Sequence, residues 1–172
     1  MAKTFESPYL VDRESLPPGF DTPRSLGTAL YFLVAPDAPT ALHSICSDQM
    51  YHHYMGDPLE VLLLYANGSG ETRIVGKDLQ AGQRPQLLIP GGTLHMSRVR
   101  GPSGYALLAT TGWLGVEPQD VVHGDRRDAV EEGKTNLALW RKQLADLEAA
   151  NAWAPTVTAS ASKMSSIPPT RT

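Results

Sequence analysis

Short apolar runs, broken at close intervals by glycine and proline, are the feature that most constrains the fold of this chain. The 172 residues include 15 Gly and 14 Pro, and the runs between them have the length of strands rather than helices. The pattern predicts an all-β core with meander connectivity and a sheet that closes on itself, since closure removes exposed edges. Seven strands are predicted: 28–34, 49–54, 59–66, 72–75, 84–89, 95–100 and 106–111.

The composition changes after residue 124 and divides the chain into segments. Residues 125–152 are charged and rich in Ala and Leu, with four apolar residues at spacings of three and four: Leu137, Trp140, Leu144 and Leu147. This pattern predicts a C-terminal helical extension whose apolar face packs on the barrel or on a partner chain. Residues 153–172 hold few large apolar groups, which is typical of a flexible tail. We therefore expect an N-terminal arm (1–25), a barrel (26–124), the helical extension (125–152) and the tail (153–172).

Charge and cysteine content argue against several classes of protein. The formal net charge is −3, which gives no attraction to nucleic acid or to an anionic membrane surface. No segment is long enough to span a bilayer, and the first residues lack the apolar core of a signal peptide. Cys46 is the only cysteine, and a lone thiol fits a reducing compartment. These observations predict a cytoplasmic protein with no nucleic-acid and no membrane partner.

Three histidines are placed to meet in the predicted barrel. In the strand 49–54, alternation puts Gln49, Tyr51 and His53 on one face. If this face is the inner one, His43 from the preceding segment and His95 from a later strand would join it. The sequence then predicts nitrogen and oxygen donors that converge in one cavity.

Two motifs make the chain resemble the cupin superfamily. The sequence Pro90-Gly-Gly-Thr-Leu-His95 resembles the second cupin motif, whose turn brings a metal-binding histidine to the inner wall. His43, Ile45, Gln49 and Gly56 resemble a degraded first motif, in which Ile45 replaces a histidine and Gln49 a glutamate.

A longer match is more specific. The stretch from Ser47 to Leu64 is similar to the small single-domain cupins classified as domain of unknown function 985, and the similarity extends over about residues 26–125. The resemblance implies a double-stranded β-helix, that is, a jelly-roll barrel, and a homodimer.

A divalent metal is one expectation for the cavity. Its candidate ligands are His43, Gln49, His53 and His95, because three imidazoles and an amide oxygen could hold Zn, Fe or Ni. The other interpretation is that these side chains only form hydrogen bonds in the mouth of the barrel.

Catalytic and substrate-binding roles are expected for an overlapping set. Tyr51, His53 and His95 are the candidate acid and base groups. Tyr51, Glu60 and Arg98 are the candidate substrate-binding residues. The alternatives are that Tyr51 packs in the wall, that Glu60 is a rim charge and that Arg98 lies on a solvated face.

The predicted function is that of an enzyme acting on a small molecule inside the barrel. The chemistry would be metal-assisted, as in an oxygenase, lyase or isomerase, or metal-free acid–base chemistry of the epimerase or cyclase type. The alternative is a non-catalytic cupin that binds a small ligand or serves a storage-like role, since one fold hosts all of these functions.

Overall fold

The computed structural model describes residues 1–124, which contain twelve strands and two single-turn 3-10 helices. The helices are Arg13–Ser15 and Pro118–Asp120. Neither one is long or apolar enough to cross a membrane. In chain order the strands are β1 (Ala2–Glu6), β2 (Leu10–Val11), β3 (Arg24–Ser25), β4 (Thr28–Val34), β5 (Thr40–Ser44), β6 (Asp48–Gly56), β7 (Leu59–Leu64), β8 (Gly70–Val75), β9 (Gln86–Ile89), β10 (Leu94–Val99), β11 (Ala106–Trp113) and β12 (Val122–His123).

The strands form two five-stranded antiparallel sheets. The first sheet has the order β1-β4-β11-β6-β9 and the second β12-β5-β10-β7-β8, while β2 and β3 form a small separate pair. The all-β prediction is confirmed, and each of the seven predicted strands overlaps an observed one. The predicted meander is wrong, because within the two large sheets only β7 and β8 are both consecutive and paired. Strand-length runs reveal where strands lie but not which strands pair.

The inner core lies between the two sheets. In β7 every residue is buried, and Leu59, Val61 and Leu63 point toward the first sheet. They pack there against residues from several other strands, among them Phe32, Val34, Tyr51, Ile89 and Leu108.

The opposite face of the second sheet carries a further apolar group, here called the outer leucine cluster. Its members are Leu62, Leu64 and Leu94, with Leu42 and Met96 packed beside them. These residues alternate with inner-core residues along β7 and β10, so they face away from the barrel interior.

The outer face of the first sheet is apolar and half-exposed. The side chains there include Tyr31, Leu33, Tyr54, Met55 and Leu88, which are between 45% and 60% exposed. Strands β4, β9 and β11 carry no charged residue, and β6 carries only Asp48.

The predicted N-terminal arm contains a strand of the first sheet, and the predicted C-terminal segments are not among the described residues. Within the predicted N-terminal arm, β1 pairs with β4 and so forms the edge of the first sheet. The predicted helical extension (125–152) and tail (153–172) lie outside the described residues.

Candidate functional site

The second sheet brings two histidines into direct contact. His43 on β5 and His95 on β10 are register partners, so their side chains lie on the same face of the sheet. Their ring centroids are 4.2 Å apart. On its other side His95 pairs with Leu63 of the inner core, which places both imidazoles inside the barrel.

A glycine turn positions His95. A Cβ atom on Gly91 would lie 2.2 Å from the carbonyl oxygen of Cys46, so only glycine fits. Gly92 has a φ of +77°, a conformation that side chains disfavour. The Gly92 N–H donates to the Ile45 carbonyl at 2.7 Å, and the Gly91 N–H donates to Asp48 Oδ1 at 2.7 Å. The turn is thereby held against the β5–β6 connection, and β10 begins directly after it.

A chain of hydrogen bonds fixes the tautomer of His95. Thr110 donates its hydroxyl proton to Gln49 Oε1 at 3.3 Å. Gln49 therefore turns its amide NH₂ toward His95, whose Nε2 accepts at 3.0 Å. The remaining ring proton sits on Nδ1 and is donated to the Thr93 carbonyl at 3.0 Å. This assignment follows from satisfying all three bonds at once.

His43 makes the same kind of backbone hydrogen bond as His95, but its second ring nitrogen has no hydrogen-bond partner within residues 1–124. Its Nδ1–H donates to the Ala41 carbonyl at 2.7 Å, so its Nε2 carries the lone pair. No hydrogen bond from residues 1–124 engages that Nε2. His43 therefore offers a base to the barrel interior.

Both imidazoles are neutral at physiological pH. Burial lowers the pKa of His95 from 6.5 to about 3, and the neighbouring His43 lowers it further. Burial also lowers the pKa of His43, partly opposed by its hydrogen bond to Ala41. A neutral ring keeps one lone pair, which is the form that accepts a proton.

Tyr51 lines the same interior. It is 4% exposed, and its ring centroid lies 4.9 Å from that of Phe32 and 6.0 Å from that of His95. Burial raises the pKa of Tyr51 well above its ordinary value of 10.0, so the hydroxyl stays protonated. Its oxygen has no hydrogen-bond partner in the described part of the chain, which leaves the proton available to a ligand.

The structure does not bring His53 to the other predicted ligands. Its Nε2–H donates to the Asp57 carbonyl at 2.9 Å, and its backbone N–H donates to the Pro85 carbonyl. The strand register shifts directly after it, between the partners of Leu107 and Leu108. His53 therefore belongs to the corner at the end of β6 rather than to the imidazole pair.

Glu60 and Arg98 lie on the outer face of the second sheet, whereas Tyr51 points from the first sheet into the barrel. They are register partners on β7 and β10 and alternate with inner-core residues. Glu60 is 1% exposed, with Arg98 Nε at 2.7 Å and Arg100 Nη1 at 3.4 Å. The three predicted substrate-binding residues therefore do not share one surface, and Glu60 is a buried carboxylate rather than a rim charge.

Sequence reasoning missed Thr110, which supports Gln49. Ala106 and Leu108 are inner-core residues of β11, so Thr110 is the polar member of the same inward series. A single polar residue on an otherwise apolar face was the available signal.

A cavity of about 310 Å³ lies beside the imidazole pair rather than on it. It is lined by Ser44, Cys46, Gly92 and the ion-paired Arg24 and Asp120, among others. Arg24 is saturated by Asp120 and by backbone carbonyls. Burial raises the pKa of the Cys46 thiol, in keeping with a structural cysteine. The cavity adjoins the β5 and β10 strand ends that carry the site.

Comparison with known proteins agrees with this architecture. Residues 1–122 match the family model described as Cupin superfamily (DUF985). The chain belongs to this cupin family. Among curated proteins, none matches its sequence.

Solved structures share this fold. A hypothetical protein from Leishmania major is 24% identical, with a TM-score of 0.68 over 82% of this chain and 86% of that one. A protein from Shewanella oneidensis is 23% identical, with a TM-score of 0.66 over 85% and 82%. Oxalate decarboxylase of Bacillus subtilis is 11% identical, with a TM-score of 0.48 over 67% and 30%. The first two likenesses show the fold alone, and the third is too distant to carry an argument.

The side chains that this cupin brings together do not fit a resident divalent metal. Of the four predicted ligands only His43, His95 and Gln49 meet, and Gln49 presents its NH₂ group to His95. Catalytic metal sites normally have three strong protein ligands. Within residues 1–124 no three His, Cys, Asp or Glu side chains converge on one point. Two imidazoles and a neutral amide fall short of a tight Zn, Fe or Ni site.

Proposed function

We propose that this cupin is an enzyme that acts on a small molecule inside the barrel by metal-free acid–base chemistry. The observation that carries the proposal is the imidazole pair, 4.2 Å apart, in which His43 is neutral and its Nε2 is open. A neutral imidazole that is held in one tautomer and has an open ring nitrogen is suited to act as a general base.

The neighbouring groups supply hydrogen-bond donors. The Tyr51 hydroxyl stays protonated because burial raises its pKa. The Gln49 amide uses one of its two N–H groups on His95 and has a second for a ligand oxygen. Donors that are fixed in position stabilise negative charge that develops on an oxygen.

These roles fit the removal of a proton next to a carbonyl group. His43 Nε2 takes the proton as the carbon–hydrogen bond breaks, and the electron pair moves onto the carbonyl oxygen. Tyr51 donates a hydrogen bond to that oxygen. The proton then returns from His43 to the same carbon or to a neighbouring one, which gives an epimer or an isomer.

Deuterium incorporation tests this chemistry even when the product of the reaction is unidentified. A panel of 2-oxo acids and keto sugars is incubated with the protein in deuterated water, and exchange is followed by mass spectrometry. We expect exchange in at least one compound. His43→Asn should reduce its rate by about 10²- to 10⁴-fold, because a positioned base contributes that much.

The matched control is His52→Asn, which alters a histidine of β6 that bonds Thr111 and Gln86 on the outer face. This variant should keep the full exchange rate. Exchange that persists in His43→Asn would contradict the proposal. Exchange that a chelator abolishes would instead support metal-dependent chemistry.

A non-catalytic ligand-binding cupin is the second candidate. It is supported by His95, both of whose ring nitrogens are already bonded within the protein. A compound that binds and raises the melting temperature, with no exchange in the whole panel, would favour this candidate over the enzyme.

We also propose that the protein is a cytoplasmic homodimer that binds no nucleic acid. The net charge of −3 and the single cysteine support the location and the absence of a nucleic-acid partner. The half-exposed outer face of the first sheet supports the dimer. Two copies that meet through β4, β9 and β11 would desolvate no charged side chain from those strands.

A further inference from the structure

The outer leucine cluster is buried although it faces away from the barrel. Leu62, Leu64 and Leu94 are 3%, 0% and 4% exposed. Leucines on the outer face of a sheet become this inaccessible only when a second layer packs on them. The apolar residues of 1–124 that pack against the cluster, Leu42 and Met96, belong to the same face of the same sheet. Within residues 1–124, no apolar residue from another layer is therefore found packed on the cluster.

The described chain ends beside this cluster. Strand β12 pairs with β5 at the edge of the second sheet. The Gly124 N–H then donates to the Leu42 carbonyl at 3.0 Å. A Cβ atom on Gly124 would lie 2.8 Å from Leu42 Cδ2. The last described residue therefore lies next to Leu42, which packs beside the outer leucine cluster.

The sequence that follows has an apolar face of suitable size. Leu137, Trp140, Leu144 and Leu147 repeat at the helical spacing. Leu137 comes thirteen residues after Gly124, a linker that spans about 20 Å as helix and about 45 Å fully extended. The cluster occupies three neighbouring strands, roughly 10 Å across, so the linker is long enough to reach it.

We propose that the segment 137–147 docks on the outer leucine cluster of its own chain. A short covalent linker gives the segment a local concentration on the order of millimolar at the cluster. When the protein itself is at micromolar concentration, docking within one chain is therefore favoured over docking by a second copy. The segment would then pack behind β5 and β10, on the reverse side of the wall that carries His43 and His95. This cupin would thus be a three-layered structure in which the site wall is supported from outside.

Single substitutions in the full-length protein test the docking. Leu144→Asp places a carboxylate in the apolar contact, which costs stability. We expect the melting temperature to fall by at least about 5 °C and a dye specific for exposed apolar surface to bind. Ala138→Asp introduces the same charge on the other face of the predicted helix; it is the matched control and should shift the melting temperature by less than about 2 °C. Equal shifts in the two variants would overturn the proposal.

A double-mutant cycle identifies the surface that is contacted. Met96→Ala and Leu144→Ala should be coupled, so that the unfolding constant of the double variant is at least roughly fivefold below the product expected for independent sites. Leu33→Ala, on the opposite sheet, is the control and should be additive with Leu144→Ala to within about twofold. Additivity of the Met96 pair would refute the docking.

The dependence of this coupling on protein concentration shows whether the docked segment belongs to the same chain or to a second copy. Coupling that stays constant over a wide range of protein concentration supports docking within one chain. Coupling that vanishes on dilution would show that a second copy supplies the segment, and would overturn the proposal as stated.

Discussion

The buried imidazole of His95 should make the protein lose stability as the pH falls. Its pKa is lowered by burial, and then by His43, from 6.5 to about 3. In the unfolded chain the ring binds a proton as the pH falls below its ordinary value, whereas in the folded chain it stays neutral down to about pH 3. The unfolded state therefore binds more protons throughout this window, and stability falls with falling pH.

The size of the loss follows from the width of the window. Each pH unit costs about 1.4 kcal/mol while only the unfolded ring is protonated. Between about pH 8 and about pH 4.5 this amounts to about 2.7 kcal/mol from His95 alone. Above the ordinary pKa neither state binds the proton, and the contribution vanishes.

Urea unfolding of the wild type and of His95→Gln measures this term. Glutamine is neutral, can bond to Gln49 and Thr93, and does not titrate. We expect the wild type to lose about 2.7 kcal/mol relative to the variant between about pH 8 and about pH 4.5. The difference between the two proteins is informative, because carboxylates that titrate in both cancel.

His52→Gln is the control for a general histidine effect. Burial lowers the pKa of His52 as well, but this ring is only partly buried on the outer face, so its effect should be smaller. A constant difference between wild type and His95→Gln down to about pH 4.5 would refute the reasoning. It would mean that the folded protein protonates His95 readily.

Three further predictions concern the ion pair, the donor set and the dimer. Asp120→Ala leaves Arg24 buried without its partner, the two side chains being 4% and 3% exposed. We expect a loss of about 3–5 kcal/mol in calorimetry, and a change below about 0.5 kcal/mol would show that water reaches Arg24. Gln49→Glu adds a carboxylate to the imidazole pair, so mass spectrometry of tag-free protein should find stoichiometric Zn²⁺ in the variant and not in the wild type; equal metal in both would contradict the donor-set argument. Sedimentation at micromolar concentration should give a dimer that Leu33→Asp converts to a monomer, and a monomeric wild type would rule out the homodimer.

The sequence predicted seven of the strands because apolar runs, and the glycine and proline residues that end them, can be recognised within a short stretch of chain. Thr28–Val34 was predicted with its observed bounds. Thr40–Ser44 was missed, since its residues form no apolar run. The pairing of β4 with β11 joins residues far apart in the sequence, and alternation within one strand contains no information about such a partner.

The site was predictable where strand parity or a turn motif decides a position. Parity placed Gln49 and Tyr51 on the inner face, and the glycine turn placed His95 beside His43. Strand parity alone did not predict the position of His53, because the chain turns at the next corner and the ring N–H donates a hydrogen bond to the Asp57 carbonyl there. Glu60 and Arg98 were grouped with Tyr51 by residue type, although their parity puts them on the other face of the second sheet.

The two histidines of the site are oriented by the same type of local hydrogen bond. His43 and His95 each donate Nδ1–H to the carbonyl two residues earlier in the chain. The adjacent backbone thus helps to orient each ring, and His95 is held in addition by Gln49 of β6. Substitutions elsewhere in β6 and β11 would change what the two rings face but not these bonds to the backbone. The backbone next to the two histidines in the second sheet therefore sets a common direction for both imidazoles, whereas the strands of the first sheet determine the chemical character of the surface that they face.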